Sequence, residues 1–120
     1  MIEDNSLNQK LTKMILKSIG LTCDVIDDGQ IAFDHISEFR KYDVILLDCQ
    51  LPGVSGYDIA AGLRKLEEKS GEHIPVIGMT ANALEGDRQK CLQSGMDDYL
   101  SKPIKKQLFH DALRRWLPDL

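Results

Sequence analysis

The sequence lacks a long apolar run, a signal pattern and a concentration of basic residues. No apolar run approaches the ~18 residues of a membrane-spanning helix, and the amino terminus has no basic segment followed by an apolar one. The formal net charge of -4 argues against a nucleic-acid or anionic-membrane surface, because both attract clustered Lys and Arg. We therefore expect no direct contact with nucleic acid and no membrane contact by this chain.

Cysteine and glycine are present, but not in the patterns that carry chemistry. Cys23, Cys49 and Cys91 are odd in number, widely spaced and without a C-x-x-C pair, so neither a disulfide framework nor a zinc site is predicted. A reducing cytosol is the favoured compartment. The glycines do not group as G-x-G-x-x-G or as a P-loop, so nucleotide binding lacks support.

The composition is that of an ordinary globular domain. The chain has 120 residues, of which 42% are hydrophobic and 28% charged, enough to close a single core. It contains no internal repeat, no low-complexity segment and no linker. We expect one domain over residues 1–120.

Apolar runs that suit strands alternate with segments of helical periodicity. This alternation predicts an α/β fold, a doubly wound parallel sheet with helices on both faces. After the apolar stub Met1-Ile2, the sequence predicts strands over 22–26, 44–47, 76–80 and 98–101, and helices over about 6–19, around 32–39, after Gly56, around 84–92 and over 104–117.

The first helix has its own start signal and apolar pattern. Ser6 and Gln9 match a capping box. Leu7, Leu11, Met14, Ile15 and Ile19 recur at helical spacing, and Gly20 ends the helix.

One stretch organises the rest of the chain, the four apolar residues 44–47 that end on Asp48. An apolar run without polar alternation is typical of a strand covered on both faces in a parallel sheet. The Pro52-Gly53 turn follows shortly after. Asp48 is thus predicted at the carboxyl end of a strand, which is where open α/β sheets bind ligands.

Four further polar residues are predicted at the same edge of the sheet: Glu3, Asp4, Thr80 and Lys102. Crowded carboxylates raise one another's pKa values unless a cation lies among them, and Mg²⁺ with oxygen ligands fits that need. Lys102 and Thr80 could hold phosphoryl oxygens while Asp48 attacks phosphorus as a carboxylate nucleophile. The product would be an aspartyl phosphate.

Each of these residues also has an ordinary structural interpretation. Glu3 and Asp4 suit the start of a helix, and Asp48 suits a turn. Thr80 could simply end a strand, and an isolated lysine such as Lys102 is usually solvated. The functional interpretation depends on all five residues lying at one edge.

With these motifs in place, the sequence resembles the receiver domain of two-component response regulators and hybrid sensor kinases over essentially its whole length. Glu3-Asp4-Asn5 resembles the family's acidic pair, and 48–53 with Gly56 its phosphoacceptor motif. The segment 79–83 resembles its switch strand and 97–103 its closing lysine motif. The family's usual sheet has five strands in the order 2-1-3-4-5.

The resemblance implies a role for each matched residue. Asp48 accepts a phosphoryl group from a phosphohistidine, while Glu3, Asp4 and the backbone carbonyl of Gln50 hold Mg²⁺ together with it. The roles implied for the others are phosphoryl binding by Thr80 and Lys102, a switch formed by Thr80 and Tyr99, and tuning of the phosphoryl lifetime by Gln50 and Asn82. Such a domain would catalyse its own phosphorylation and dephosphorylation.

The resemblance also implies partners. Residues 83–91 and 115–117 look most like receivers fused to hybrid histidine kinases. The expected partners are therefore a histidine kinase or a histidine phosphotransfer domain, whose helix should dock beside the first helix near Asp48, and a dimer is possible. The expected location is the cytoplasm, including the cytoplasmic part of a membrane-bound sensor kinase.

One departure from the family concerns strand one. The family has about five apolar residues before its acidic pair, and this chain has Met1 and Ile2. A shortened central strand leaves backbone groups of its neighbours unpaired. The strand could be a stub, another chain could donate a strand, or the Glu3-Asp4 side of the pocket could be loose. We expect a truncated strand one with a weakened metal site and modest stability.

Three other functions compete with the phosphoacceptor. An aspartyl-phosphate hydrolase uses a strand-end Asp but needs a second Asp two residues later, where this chain has Gln50. A phosphorylation-deficient interaction module would keep the fold without the chemistry. A flavin-binding domain of the same topology would be yellow.

Overall fold

A computed structural model describes residues 1–81 and 85–117, without the side chain of residue 85. From the first strand onward, strands and helices alternate as the sequence predicts, whereas three helices precede that strand. In order they are α1 (Ser6–Ser18), α2 (Gly29–Asp34), a 3₁₀ helix (Ile36–Lys41), β1 (Ile45–Asp48), α3 (Gly56–Ser70), β2 (Val76–Thr80), α4 (Glu85–Gln93), β3 (Asp98–Ser101) and α5 (Lys106–Trp116).

The sheet has three parallel strands in the order β1-β2-β3. The prediction of five strands is therefore not met in the described chain. Ile2 instead makes isolated parallel bridges with Ile26 and Leu47. The Ile2 N–H donates to Leu46 O at 2.7 Å, and Asp48 N–H donates to Ile2 O at 2.9 Å. Strand pairing on this side of the sheet is limited to Ile2. Isolated bridges therefore stand where the sequence predicts a strand over 22–26 and a truncated strand before Glu3.

Helices cover both faces of the sheet, so the doubly wound arrangement is confirmed. On one face, buried residues of α2, α3 and α4 such as Ala32, Ile59 and Cys91 pack against β1 and β2. On the other face, Leu16 of α1 and Phe109 of α5 pack against the sheet. All five residues of β2 are buried, as expected of a strand enclosed on both faces.

The apolar residues of α1 divide between the sheet and the solvent. Leu7, Leu11 and Met14 are exposed by 62%, 42% and 68%, whereas Thr12 and Leu16 are buried. The helix carries two apolar stripes at helical spacing, and only the one that includes Leu16 faces the sheet. An apolar strip of α1 is consequently left in solvent.

The ends of several helices differ from the sequence prediction. The cap of α1 is Asn5, whose side chain accepts from the Asn8 N–H at 3.0 Å, so Ser6 is already the first helical residue. Helix α5 begins at Lys106, two residues later than predicted. Asn82 and Glu85 also match a capping box in the sequence, and Asn82 lies outside the described residues. No helix in the described ranges has the length and apolar character needed to cross a membrane.

Candidate functional site

The carboxyl ends of the strands bring the predicted site residues together. Asp48 ends β1, Thr80 ends β2, and Lys102 directly follows β3. Glu3 follows the bridged Ile2 and so reaches the same edge. Glu3, Asp48 and Thr80 are all almost fully buried, with 1%, 2% and 1% of their surface exposed.

Gly56 allows α3 to begin directly against the end of β1. A Cβ atom at this position would lie 2.2 Å from the carbonyl oxygen of Asp48, which no real side chain tolerates. The Gly56 N–H donates to Cys49 O at 3.2 Å, and Ser55 and Asp58 form a capping box at the start of the helix. The turn after Asp48 is thus held close to the site.

Lys102 joins the two buried carboxylates. Its Nζ lies 3.0 Å from Asp48 Oδ2 and 3.1 Å from Glu3 Oε2, and its backbone N–H donates to Thr80 O at 2.7 Å. Burial alone would lower the pKa of Lys102, but the hydrogen bonds and negative charges of Asp48 and Glu3 outweigh it and raise this pKa. The side chain is therefore an ammonium ion at the centre of the site.

Glu3 is the carboxyl group of the site whose ionised form is disfavoured by burial. Burial raises the pKa of its carboxyl group, and the charge of Asp48 raises it further, against the opposing effects of the Asn5 N–H and Lys102. Its Oε1 accepts from the Asn5 N–H at 3.2 Å. Its buried Oε2 is ion-paired with Lys102 Nζ at 3.1 Å and has no second polar partner among the described residues.

Glu3, Asp4 and Asp48 meet the geometric requirement for one shared cation. One carboxylate oxygen from each lies within 4.8 Å of those of the other two. The Glu3 and Asp48 carboxylates are buried and Asp4 is exposed. Hard oxygen donors of this kind are what Mg²⁺ prefers, and the buried Oε2 of Glu3 has capacity for a ligand. These three residues therefore fit a magnesium ion.

The remaining predicted site residues are Gln50, Tyr99 and Asn82. Gln50 donates its backbone N–H to Asp48 Oδ1 at 3.1 Å, while ligation by its carbonyl oxygen stays a prediction. Tyr99 is half-buried on β3, paired with Gly78 of β2. The predicted tuning residue Asn82 lies outside the described residues.

Sequence reasoning missed two residues that position Glu3. Asn5 caps α1 and donates to Glu3 Oε1, and Gln9 donates its side-chain amide to the Glu3 carbonyl oxygen at 2.7 Å. An asparagine directly before an apolar helical pattern is itself a cap signal and points to the first contact. No local pattern indicates the contact of Gln9 with Glu3. The sequence pattern assigns Gln9 to a capping box with Ser6 instead.

Comparisons with known proteins agree with this geometry. Residues 1–114 match the family model described as the response regulator receiver domain. The chain belongs to this family, and its fold is the flavodoxin-like, CheY-like receiver fold. The resemblance stated from the sequence is confirmed.

Similar proteins include receiver-containing sensor kinases from distant organisms. Hybrid signal transduction histidine kinase I of Dictyostelium discoideum is 41% identical over 115 residues, 92% of this chain and 7% of that protein. Sensor histidine kinase RcsC of Escherichia coli is 37% identical over 112 residues, 93% of this chain and 11% of that protein. The chain spans about a tenth of the length of these relatives.

Two solved structures are informative. The receiver domain of sensor histidine kinase PA1611 from Pseudomonas aeruginosa, with a magnesium ion in its active site cleft, is 41% identical with a TM-score of 0.83 and covers 98% of this chain and 93% of that one. The Saccharomyces cerevisiae Ssk1 receiver domain, in complex with the histidine phosphotransfer protein Ypd1, is 28% identical with a TM-score of 0.85, covering 96% of this chain and 84% of that one.

Proposed function

We propose that this chain accepts a phosphoryl group from a phosphohistidine onto Asp48 and works as the receiver of a two-component phosphorelay. The observation that carries the proposal is the Lys102 ammonium group between the Asp48 and Glu3 carboxylates at the edge where the strands end. A buried nucleophile beside a fixed positive charge suits phosphoryl transfer, which depends on positioning and on charge stabilisation.

The proposed step forms one bond and breaks one. An Asp48 carboxylate oxygen attacks phosphorus, the bond between phosphorus and the donor histidine nitrogen breaks, and the imidazole leaves with the electron pair. Lys102 stabilises the negative charge on the transferred group, and the Thr80 hydroxyl donates to a phosphoryl oxygen. The Gln50 N–H, 3.1 Å from Asp48 Oδ1, orients the carboxylate.

The proposed cofactor is Mg²⁺, held by Glu3, Asp4, Asp48 and the backbone carbonyl of Gln50. When bound, the ion supplies positive charge next to the phosphoryl oxygens. Support comes from the cluster of three carboxylates, from the buried Oε2 of Glu3, which has Lys102 as its one partner among the described residues, and from the related receiver that holds magnesium in its cleft.

The proposed response to phosphorylation is a shift between two states. Thr80 moves toward the phosphoryl group and Tyr99 turns inward, changing the face formed by α4, β3 and α5. The proposed strand order is 2-1-3-4-5, supported by the bridges that place Ile2 between Ile26 and Leu47. Gln50 and Asn82 are proposed to tune the lifetime of the aspartyl phosphate.

The proposed partner is a histidine kinase or histidine phosphotransfer domain that docks against α1. The exposed Leu7, Leu11 and Met14 form an apolar strip on the helix that follows the acidic pair. Exposed apolar patches of this kind mark interaction sites, and the related Ssk1 receiver is bound to such a partner. We further propose that residues 1–120 form one receiver domain, located in the cytoplasm as part of a hybrid histidine kinase. Formation of a dimer belongs to the same proposal.

Incubation with acetyl phosphate and Mg²⁺, followed by intact mass measurement, tests the proposal. The native chain should gain the mass of one phosphoryl group, and Asp48→Asn should gain none. Asp43→Asn, which alters an exposed carboxylate just before β1, is the matched control and should be modified like the native chain. Absence of any adduct on the folded native chain would favour the phosphorylation-deficient interaction module.

A further inference from the structure

Three sulfur atoms converge in the core directly behind the phosphoacceptor. Cys49 follows Asp48, Cys91 lies on α4, and Met96 lies between α4 and β3. The Cys49 Sγ is 3.5 Å from Cys91 Sγ and 4.0 Å from Met96 Sδ. All three residues are buried, with 1%, 0% and 3% of their surface exposed.

The sulfur atoms surround the face of Gly78, a central residue of β2. A Cβ atom on Gly78 would lie 2.5 Å from Met96 Sδ, 3.1 Å from Cys49 Sγ and 3.6 Å from Cys91 Sγ. The absence of a side chain at this position therefore lets all three sulfurs pack against the same face of β2.

We propose that Cys49, Cys91 and Met96 form a buried three-sulfur site for one Cu(I) ion. Thiolate and thioether ligands are soft and select Cu(I), whereas Mg²⁺ selects carboxylate and carbonyl oxygens. Two thiolates and one thioether supply the three donors, and no fourth donor of a closed zinc site converges with them in the described ranges. Binding forms three copper–sulfur bonds, releases two thiol protons to solvent and changes no oxidation state.

The spacing of the sulfurs supports a shared ion. Atoms that bond one metal at ~2.3 Å lie up to about 4 Å apart in a trigonal arrangement, close to the two separations found here. The Met96 side chain is flexible enough to adjust, and the site shares no residue with the carboxylate cluster of Glu3, Asp4 and Asp48.

Occupancy would connect three segments that surround the phosphoacceptor. The ion would join the residue after Asp48 to α4 and to the segment before β3. Because the three sulfurs are buried, the ion enters only when α4 moves away from the sheet, so binding should be slow and accelerated by mild denaturant. This slowness distinguishes the site from surface thiols such as the half-exposed Cys23.

Anaerobic titration with Cu(I) against a coloured Cu(I) chelator, together with native mass spectrometry, tests the proposal. The folded chain should bind one Cu(I), and Cys91→Ser should lose affinity by about 100-fold or more, since even residues outside the ligand shell contribute 10–100-fold. Cys23→Ser is the matched control and should bind like the native chain.

A second variant covers the case in which Cys91→Ser fails to fold. Met96→Leu conserves volume and should stay folded by circular dichroism while its affinity for Cu(I) falls. The proposal is overturned if the folded native chain forms no one-to-one complex. It is equally overturned if folded Cys91→Ser or Met96→Leu retains native affinity, or if Cys23→Ser abolishes binding.

Discussion

At the scale of single residues, the proposed phosphoryl transfer depends on Lys102. Its ammonium group lies within 3.1 Å of two buried carboxylates, and these carboxylates raise its pKa. Lys102 is the counter-ion of Glu3 and Asp48, and in the proposed reaction it also supplies the positive charge for the transferred phosphoryl group. One residue therefore connects the chemistry of the site with the stability of the fold.

Lys102→Gln should lower the rate of phosphorylation by about 10²–10³-fold, the usual cost of removing one preorganised charge partner. It should also raise the pKa of Glu3 further, because an opposing positive charge is lost. The rate of adduct formation with acetyl phosphate and Mg²⁺ checks the first effect. Lys105→Gln, an exposed lysine that precedes α5, is the control and should react at the native rate. Equal rates for both variants would contradict the role of Lys102.

The buried thiols of Cys49 and Cys91 predict a fall in stability at alkaline pH. Burial raises the pKa of both above the ordinary value of 9.0. The unfolded chain therefore loses these protons first, so the stability present below pH 9 is lost as the pH rises beyond it. The loss should approach about 1.4 kcal/mol per pH unit for each thiol that is ionised only in the unfolded chain.

Urea titrations at pH 7, 9 and 10 check this alkaline loss. Cys91→Ala should start from a lower stability and then lose less of it between pH 9 and 10 than the native chain does. Cys23→Ala should follow the native curve. An identical alkaline loss in Cys91→Ala and the native chain would contradict the assignment.

At the scale of elements, the extent of helix α1 is predictable from the sequence, whereas its buried face is not. Its extent was predicted to within a residue, because the apolar spacing and the following Gly20 are local signals. Its buried face could not be predicted, because Leu7, Leu11 and Met14 have the same periodicity as the stripe that packs on the sheet. Only the position of the sheet decides which stripe is buried.

The edge of the sheet was predictable for a different reason. All three strands were predicted, two of them from apolar runs, and parallel topology then brings Asp48, Thr80 and Lys102 together. Long-range polar contacts have no such signal. Arg64 on α3 pairs with Asp97 at 2.6 Å and donates to Gly95 O at 2.7 Å, an arrangement that no local spacing indicates.

The exposed strip of α1 makes a testable interface. The double variant Leu11→Ala, Met14→Ala should slow phosphoryl transfer from a phosphorylated histidine phosphotransfer domain by about tenfold or more, because apolar anchors often contribute over 1 kcal/mol. Phosphorylation by acetyl phosphate should be unchanged, since Asp48 is intact. Ile31→Ala, which alters an equally exposed residue of α2, is the control. Transfer at the native rate would place the partner elsewhere.

At the scale of the whole molecule, the ionised Glu3 carboxylate lowers the stability of the fold. The pKa of Glu3 is raised, which means that the folded chain disfavours its ionised form near neutral pH. A cation shared by Glu3, Asp4 and Asp48 relieves this cost. The modest stability expected from the short pairing at Ile2 makes the relief measurable.

Magnesium should therefore raise the melting temperature. Binding at 100 times the dissociation constant stabilises by about 2.7 kcal/mol, and Asp4→Asn should weaken the effect because it removes a ligand. Glu68→Gln, an exposed carboxylate of α3, serves as the control and should respond like the native chain. Circular dichroism melts with and without Mg²⁺ measure the shift. A high melting temperature unaffected by Mg²⁺ would contradict both the weak site and the modest stability.

The most direct test of the central claim is to locate the acceptor residue itself. The phosphorylated chain is reduced with borohydride, which converts an aspartyl phosphate to homoserine, and is then digested with trypsin. The peptide of residues 42–64 contains Asp43, Asp48 and Asp58, so its fragment ions distinguish the three. If Asp48 is the acceptor, homoserine is found at position 48 alone. Homoserine at position 43 or 58, or an unlabelled peptide from a chain that carries the adduct, would contradict it.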